Sequence, residues 1–219
     1  MNQVPLVFLG LFAAVATSFY GVVFVPHHAV GRAEMEYVDD VGSYYPSPRN
    51  GLAQQGAEVY RAQGCVECHT QQVRPKSLGS DVARGWGRRR TIAQDYAQES
   101  PVQLGSLRLG PDLTNVGKRQ PSTLLNLRHL YNPRLVVKES YMPRYEYLFS
   151  KRKLEGSEKP SLNALPADTE AGFEITPKPD ALALVAYLQS LSADVPLFSA
   201  PLPPVSTNKV SAPSLTQKP

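Results

Sequence analysis

Five consecutive residues, Cys65-Val66-Glu67-Cys68-His69, hold the side chains best suited to chemistry, and they contain both of the chain's cysteines. A C-x-x-C-H segment can add its two sulfurs as thioethers to the two vinyl groups of a haem. The following imidazole is then held under the ring, where it can ligate iron. Three other readings compete. A thioredoxin-like C-x-x-C needs a βαβ setting, and no alternating strand pattern surrounds this one. A zinc site takes four protein ligands, and no second cysteine pair completes one. The third is a chance match of a short pattern, against which the membrane segment and helical domain described below both count. One covalently attached haem, a haem c, is therefore expected on Cys65, Cys68 and His69. Two cysteines three positions apart also rule out a disulfide-stapled fold as the main source of stability.

A sixth iron ligand must come from elsewhere. The chain has three methionines, Met1, Met35 and Met142. Met1 starts an apolar run and Met35 lies in a connector. That leaves Met142, in Ser140-Tyr-Met-Pro-Arg-Tyr145, as the expected axial ligand, since Met/His ligation is a common cytochrome arrangement. A lone Met is more often core filler. His129 and an open iron are the rival readings.

A metal-bound His donates its second ring N–H to a fixed acceptor. Gly110-Pro111-Asp112-Leu113 offers one, because proline lacks an N–H but keeps its carbonyl. A simple turn is the plainer reading of the same four residues. Arg74 and Arg108 are candidates for pairing with haem propionates, given the bidentate fit of guanidinium to carboxylate. Both also read as ordinary surface charges.

These residues need a scaffold, and the pattern of the chain supplies a helical one. From Val4 to Val25 there are 22 residues without a charge. At about 1.5 Å per residue such a helix crosses a hydrocarbon core of roughly 30 Å, with Tyr20 near one interface. A cleaved signal peptide is the competing reading, with Ala14-Val15-Ala16 as its site. No Lys or Arg precedes the run, however, and the run continues past that site, so an uncleaved anchor is expected. Loop charge gives almost no orientation. Haem attachment, which takes place outside the bacterial inner membrane, puts the domain on the periplasmic side.

The remaining chain divides into a Pro-containing connector (26–50), a soluble domain (51–191) and a Pro/Ser-rich tail (192–219) expected to be disordered. His27 and His28 fall just past the anchor, where adjacent imidazoles diverge on a helix and suit the interface better than a metal. In the domain, helical spacing predicts a first helix over 52–63, with Leu52, Gly56, Val59 and Tyr60 on one face. A second is predicted over 122–131 and a last one over 180–191, with Leu184, Val185, Leu188 and Leu191 as its stripe. Residues 76–107 read as a long loop with one short helix. The fold class is therefore mainly α: a single N-terminal transmembrane helix followed by a small helical domain with long loops.

Composition fits this reading. The chain has 219 residues, 42% hydrophobic and 19% charged, with a net charge of +4 and 20 prolines. Its basic residues come in short scattered groups such as Arg88-Arg89-Arg90, and no nucleic-acid motif accompanies them.

The helix Gly56-Ala-Glu-Val-Tyr60, the C-x-x-C-H, the Gly-Pro-Asp-Leu turn, the Met-Pro and the C-terminal Leu-Val-Ala-Tyr-Leu together resemble a class I cytochrome c. In that fold the first and last helices cross at a small residue and an aromatic, places taken here by Gly56, Tyr60, Tyr187 and Leu188. The resemblance narrows with Gly64–Pro75, Gly105–Leu113, His129-Leu-Tyr-Asn-Pro-Arg134 and Ser140–Pro143. They follow the order found in the monohaem subunit, the FixO/CcoO type, of cbb3-type cytochrome c oxidases. Gln72-Val73 stands where that family often has Met-Ile, and Leu104 where it often has Trp.

The resemblance implies a non-catalytic electron-transfer subunit. It would take electrons from a donor cytochrome c, or from a companion cytochrome subunit, and pass them to the catalytic haem-copper membrane subunit that reduces oxygen. Rival readings are a membrane-anchored carrier of another respiratory complex, a cytochrome c peroxidase and a haem-based sensor. Peroxidases of this type carry two haem motifs, and a sensor needs a signalling domain that is not visible here.

Overall fold

The computed structural model describes residues 3–30, 33–155 and 158–203. The chain begins with a helix apolar and long enough to cross a membrane, Val4–His28. Its first part is α1 (Val4–Phe19). One wide turn follows, Tyr20–Phe24, closed by Val25 N–H on the Tyr20 carbonyl, and then α2 (Val25–Val30). The wide turn lies just ahead of Pro26, which has no N–H to give the helical ladder. No residue from Val4 to Phe24 is buried against the rest of the chain.

The domain is built on a crossing of α3 (Gly51–Ala62) and α6 (Pro179–Ser190). Asn50 caps α3 by accepting the Ala53 N–H at 2.8 Å, and Pro179 starts α6 with a φ already suited to a helix. The two helices touch at Gly56. A Cβ there would sit 1.9 Å from the Ala183 carbonyl oxygen and 2.7 Å from Tyr187 Cβ. That close approach brings the Tyr60 and Tyr187 ring centroids to 5.3 Å, the planes tilted by 56°. The main core forms around them, with Cys65, Leu113, Leu127, Leu130, Leu184 and Val185 buried. Between these helices come the short α4 (Val116–Arg119) and α5 (Thr123–Tyr131), the latter capped by Ser122.

Mainly helical architecture with long loops is thus what the chain adopts, but four short strands are added among the described residues. They form two antiparallel hairpins, β1 (Glu36–Val38) with β2 (Ser43–Tyr45) and β3 (Phe149–Lys153) with β4 (Phe173–Pro177). Their alternation is hidden in the sequence. On β3 only Phe149 is buried, and on β4 the acidic Glu174 is buried beside Ile175. Glu174 is satisfied there by Arg152 at 2.8 Å and the Ser161 N–H at 2.6 Å.

Two boundaries differ from the sequence reading. The connector (26–50) continues the apolar helix to Val30 and then folds as β1 and β2, burying Val38 and Tyr45. The segment from Ser192, where a disordered tail is expected, stays packed to Ala200. Leu197 joins Val38 and Tyr45 in a second small core, with Ile92 and Val195 against it. Prolines break any period there, so nothing in the sequence pattern marked those residues as buried. Residues 204–219 of the expected tail lie outside the described residues.

Candidate functional site

α3 ends at a left-handed glycine, Gly64 (φ 68°), which turns the chain into a tight 3-10 turn over Cys65–Glu67. His69 N–H closes on the Cys65 carbonyl at 3.0 Å, so the two cysteines and the histidine are presented by one rigid loop. Neither cysteine is in a disulfide; Cys65 is buried and Cys68 half-buried. Burial pushes the Cys65 thiol up to about 11, which keeps it protonated.

His69 is held from the side. Its Nδ1 lies 2.8 Å from the Pro111 carbonyl oxygen, the contact the Gly-Pro-Asp-Leu turn predicts. The carbonyl can only accept, so Nδ1 carries the proton and Nε2 is the nitrogen left for a metal. Burial holds the His69 pKa below its ordinary value, partly offset by the Pro111 bond, so the ring is neutral near pH 7. Gly110 lies flush against the ring: a Cβ there would stand 2.2 Å from His69 Cε1. Gly105 (φ 70°) passes as closely over the His69 carbonyl. Leu107 and Leu109, which flank this approach, are 56% and 75% exposed, apolar surface that a planar apolar ring would cover.

Met142 is half-buried and packs on the core cluster that holds Cys65, together with Val66. His129, on α5, is half-buried, and its Nδ1 is enclosed without a hydrogen-bond partner among the described residues. Burial first and His69 second depress its pKa, which makes the two imidazoles electrostatic neighbours. Arg74 is exposed and forms no ion pair among the described residues. Arg108 is already committed. It donates to Asp81 Oδ1 (2.6 Å), the Gln72 carbonyl (2.6 Å) and Thr70 Oγ1 (2.9 Å), and it lies over the Trp86 ring. It is therefore not an unpaired cation facing an open carboxylate site.

The structure also supplies residues that the sequence reading passed over. Asp112 is fully buried; its carboxylate accepts the Thr70 hydroxyl (2.7 Å) and the Gln72 (2.7 Å) and Thr114 (2.9 Å) N–H groups. One signal was an acidic residue directly after Pro111 in a turn with an apolar fourth position. A separate cavity of about 260 Å³ lies in the seam between the β1–β2 hairpin and the domain, lined by Tyr45, Arg49, Tyr96 and Glu99. None of Cys65, Cys68, His69 or Met142 lines it.

The chain matches, over residues 1–166, the family described as cytochrome c oxidase, mono-haem subunit/FixO. It belongs to this family. A FixO chain is a mono-haem subunit of a cytochrome c oxidase complex, so one haem and an oxidase assembly come with the family. The matched span includes the apolar helix, the C-x-x-C-H segment, the Pro111 turn, His129 and Met142. A search of curated proteins finds no match. The residues present fit the FixO haem: a neutral imidazole with one nitrogen engaged, two sulfurs outside any disulfide on the same loop, and exposed Leu107 and Leu109 on the loop whose Gly105 and Gly110 pack on His69.

Proposed function

We propose that this FixO subunit relays electrons through one haem c on the periplasmic side of the bacterial inner membrane. Cys65 and Cys68 would hold the group by thioethers, His69 Nε2 would ligate iron and Met142 would supply a further ligand. The helix Val4–His28 would be the membrane anchor. Bound there, the haem supplies a reversible one-electron couple.

The observation that carries this reading is the 2.8 Å contact of His69 Nδ1 with the Pro111 carbonyl. It fixes the tautomer and the ring plane and leaves one nitrogen for the iron. The rest of the chain's work is binding and orientation. The Cys65–His69 turn would hold the haem, Gly110 lets the loop lie against the imidazole, and a Met142 thioether would favour the ferrous state and raise the potential. Electrons would arrive from a donor cytochrome c or a companion cytochrome subunit and leave for the catalytic haem-copper membrane subunit that reduces oxygen.

Purification in mild detergent tests this. A polytopic oxidase subunit should travel with the chain, and the intact preparation should oxidise reduced cytochrome c. A chain that purifies alone, still carrying haem c, would favour a membrane-anchored carrier instead.

A further inference from the structure

The His69–Pro111 contact joins two loops, 68–72 and 108–114, that are distant in sequence. Two backbone bonds bracket it: Gly110 N–H to the Cys68 carbonyl at 3.0 Å and Leu113 N–H to the Thr70 carbonyl at 2.8 Å. Side chains then tie the same two loops together. The Thr70 hydroxyl, on the residue after His69, donates to Asp112 Oδ2 at 2.7 Å and accepts from Arg108 Nε at 2.9 Å. Asp112 follows Pro111 directly, and Arg108 lies three residues before it. One hydroxyl is therefore bonded to groups on both sides of the carbonyl that His69 uses.

The outer members of this chain are fixed as well. Arg108 is anchored by Asp81, which also accepts the Arg74 N–H at 2.8 Å, and by the face of Trp86. Asp112 is held by the Gln72 and Thr114 amides, and its backbone carbonyl accepts from Arg119. Thr70 is 2% exposed and Asp112 0%, so water does not compete for these bonds. The fold thus spends a buried carboxylate and a half-buried guanidinium on one threonine beside the histidine.

We propose that Thr70 is a positioning residue for the haem: its hydroxyl, clamped between Asp112 and Arg108, holds the Pro111 carbonyl on His69 Nδ1 and thereby sets how strongly His69 donates to iron. This rests on the reading of His69 as an iron ligand. The physical link is the one known for metal-bound imidazoles generally. A well-placed acceptor on the far N–H makes the ring a stronger donor, and losing such a partner weakens the metal interaction by roughly 10- to 100-fold. A stronger donor favours the ferric state, so slackening the clamp raises the midpoint potential.

Thr70→Val tests this without changing charge or volume, and Thr70→Ser restores the hydroxyl. Both are made in the full-length haem-loaded subunit. Two readouts apply: the midpoint potential, and the solvent exchange of the His69 Nδ1 proton by NMR. In Thr70→Val the exchange should quicken and the potential should rise, with haem still attached; Thr70→Ser should return both towards wild type. Arg108→Lys, which keeps the charge but removes the Nε donor, should shift both readouts in the same direction and covers the case in which the valine variant does not load haem.

Unchanged potential and exchange in a loaded Thr70→Val, or a serine variant no different from valine, would overturn the proposal. A wild-type protein without thioether-bound haem, or a ligand spectrum unaltered by His69→Ala, would instead overturn the site itself.

Discussion

The Tyr45 hydroxyl donates to Asp95 Oδ1 at 2.7 Å, and Arg89 grips the same carboxylate with two nitrogens at 2.6 and 2.9 Å. The Arg89 and Asp95 side chains are each 2% exposed. Burial, and then the charge of Asp95, push the Tyr45 pKa well up, so it remains a donor. Gln94 reaches back to the Glu34 carbonyl at 3.0 Å, and Arg49 pairs with Glu99 at 2.5 Å. The connector is thereby pinned to the domain at Glu34, Tyr45 and Arg49. Only the four peptide steps from Val30 to Glu34 separate helix from pinned chain, a reach of at most about 14 Å, against about 70 Å for an unpinned chain to Asn50.

Asp95→Asn should undo that pinning. It leaves Arg89 buried without its counter-charge, a change that costs about 3–5 kcal/mol in comparable buried pairs. Amides 36–45 should exchange with deuterium faster in the variant, read by mass spectrometry on the full chain in detergent. Unaltered exchange there would show that the hairpin is held by its small apolar core alone.

Gly56→Ala should strike the crossing of α3 and α6. The added methyl would meet the Ala183 carbonyl oxygen at 1.9 Å, and a backbone atom cannot swing away as a flexible side chain can. A loss of about 3 kcal/mol is expected, a fall of about 10 °C in a thermal melt for a domain of this size. Gly10→Ala, where nothing lies within 4 Å, is the control and should leave the melt unchanged.

The two helices were legible because helical spacing is local: Leu52, Gly56, Val59 and Tyr60 share a face of one, and Leu184, Val185, Leu188 and Leu191 a face of the other; that they cross at Gly56 and Tyr187 was implied by the resemblance to a class I cytochrome c. The C-x-x-C-H segment was legible because it depends on residue type and short spacing; Pro111, 42 residues from His69, was nameable as an acceptor from its residue type, and its contact shows only in three dimensions. The hairpins were not, since Val38 and Tyr45 find their cover in Leu197, about 150 residues away, and no local pattern reports a partner that distant. Arg108 was readable as a cation, but its partner Asp81 lies 27 residues away on another loop, so its commitment shows only in three dimensions. Thr70, an ordinary residue type, gained its place from what surrounds it.

Replacing Cys65 and Cys68 together by Ala should abolish haem staining on a denaturing gel, because both thioether sulfurs are lost. Each single variant should keep some stain through the remaining sulfur. Full staining of the double variant would remove covalent attachment from the proposed function.

Met142→His should lower the midpoint potential strongly, as exchange of a thioether for a second imidazole favours the ferric state. His129→Gln should leave the potential and the visible spectrum nearly as they are if Met142 is the ligand. The opposite pattern, a silent Met142→His and a shifted His129→Gln, would move the sixth position to His129. The enclosed Nδ1 of His129 makes the comparison informative, since that nitrogen has no partner to lose among the described residues.

His129 also predicts a pH dependence. Its folded-state pKa lies below the ordinary 6.5, through burial first and the neighbouring His69 second. An unfolded chain therefore binds this proton at a higher pH than the folded one. Stability is fully present above about 6.5 and falls as pH drops from there towards the folded value, because the unfolded state gains the proton first. His129→Gln removes that share of the slope. Urea denaturation at pH 7 and pH 5 should show a smaller loss of stability in the variant than in wild type. Equal losses would mean that the His129 ring is solvated well enough to titrate alike in both states.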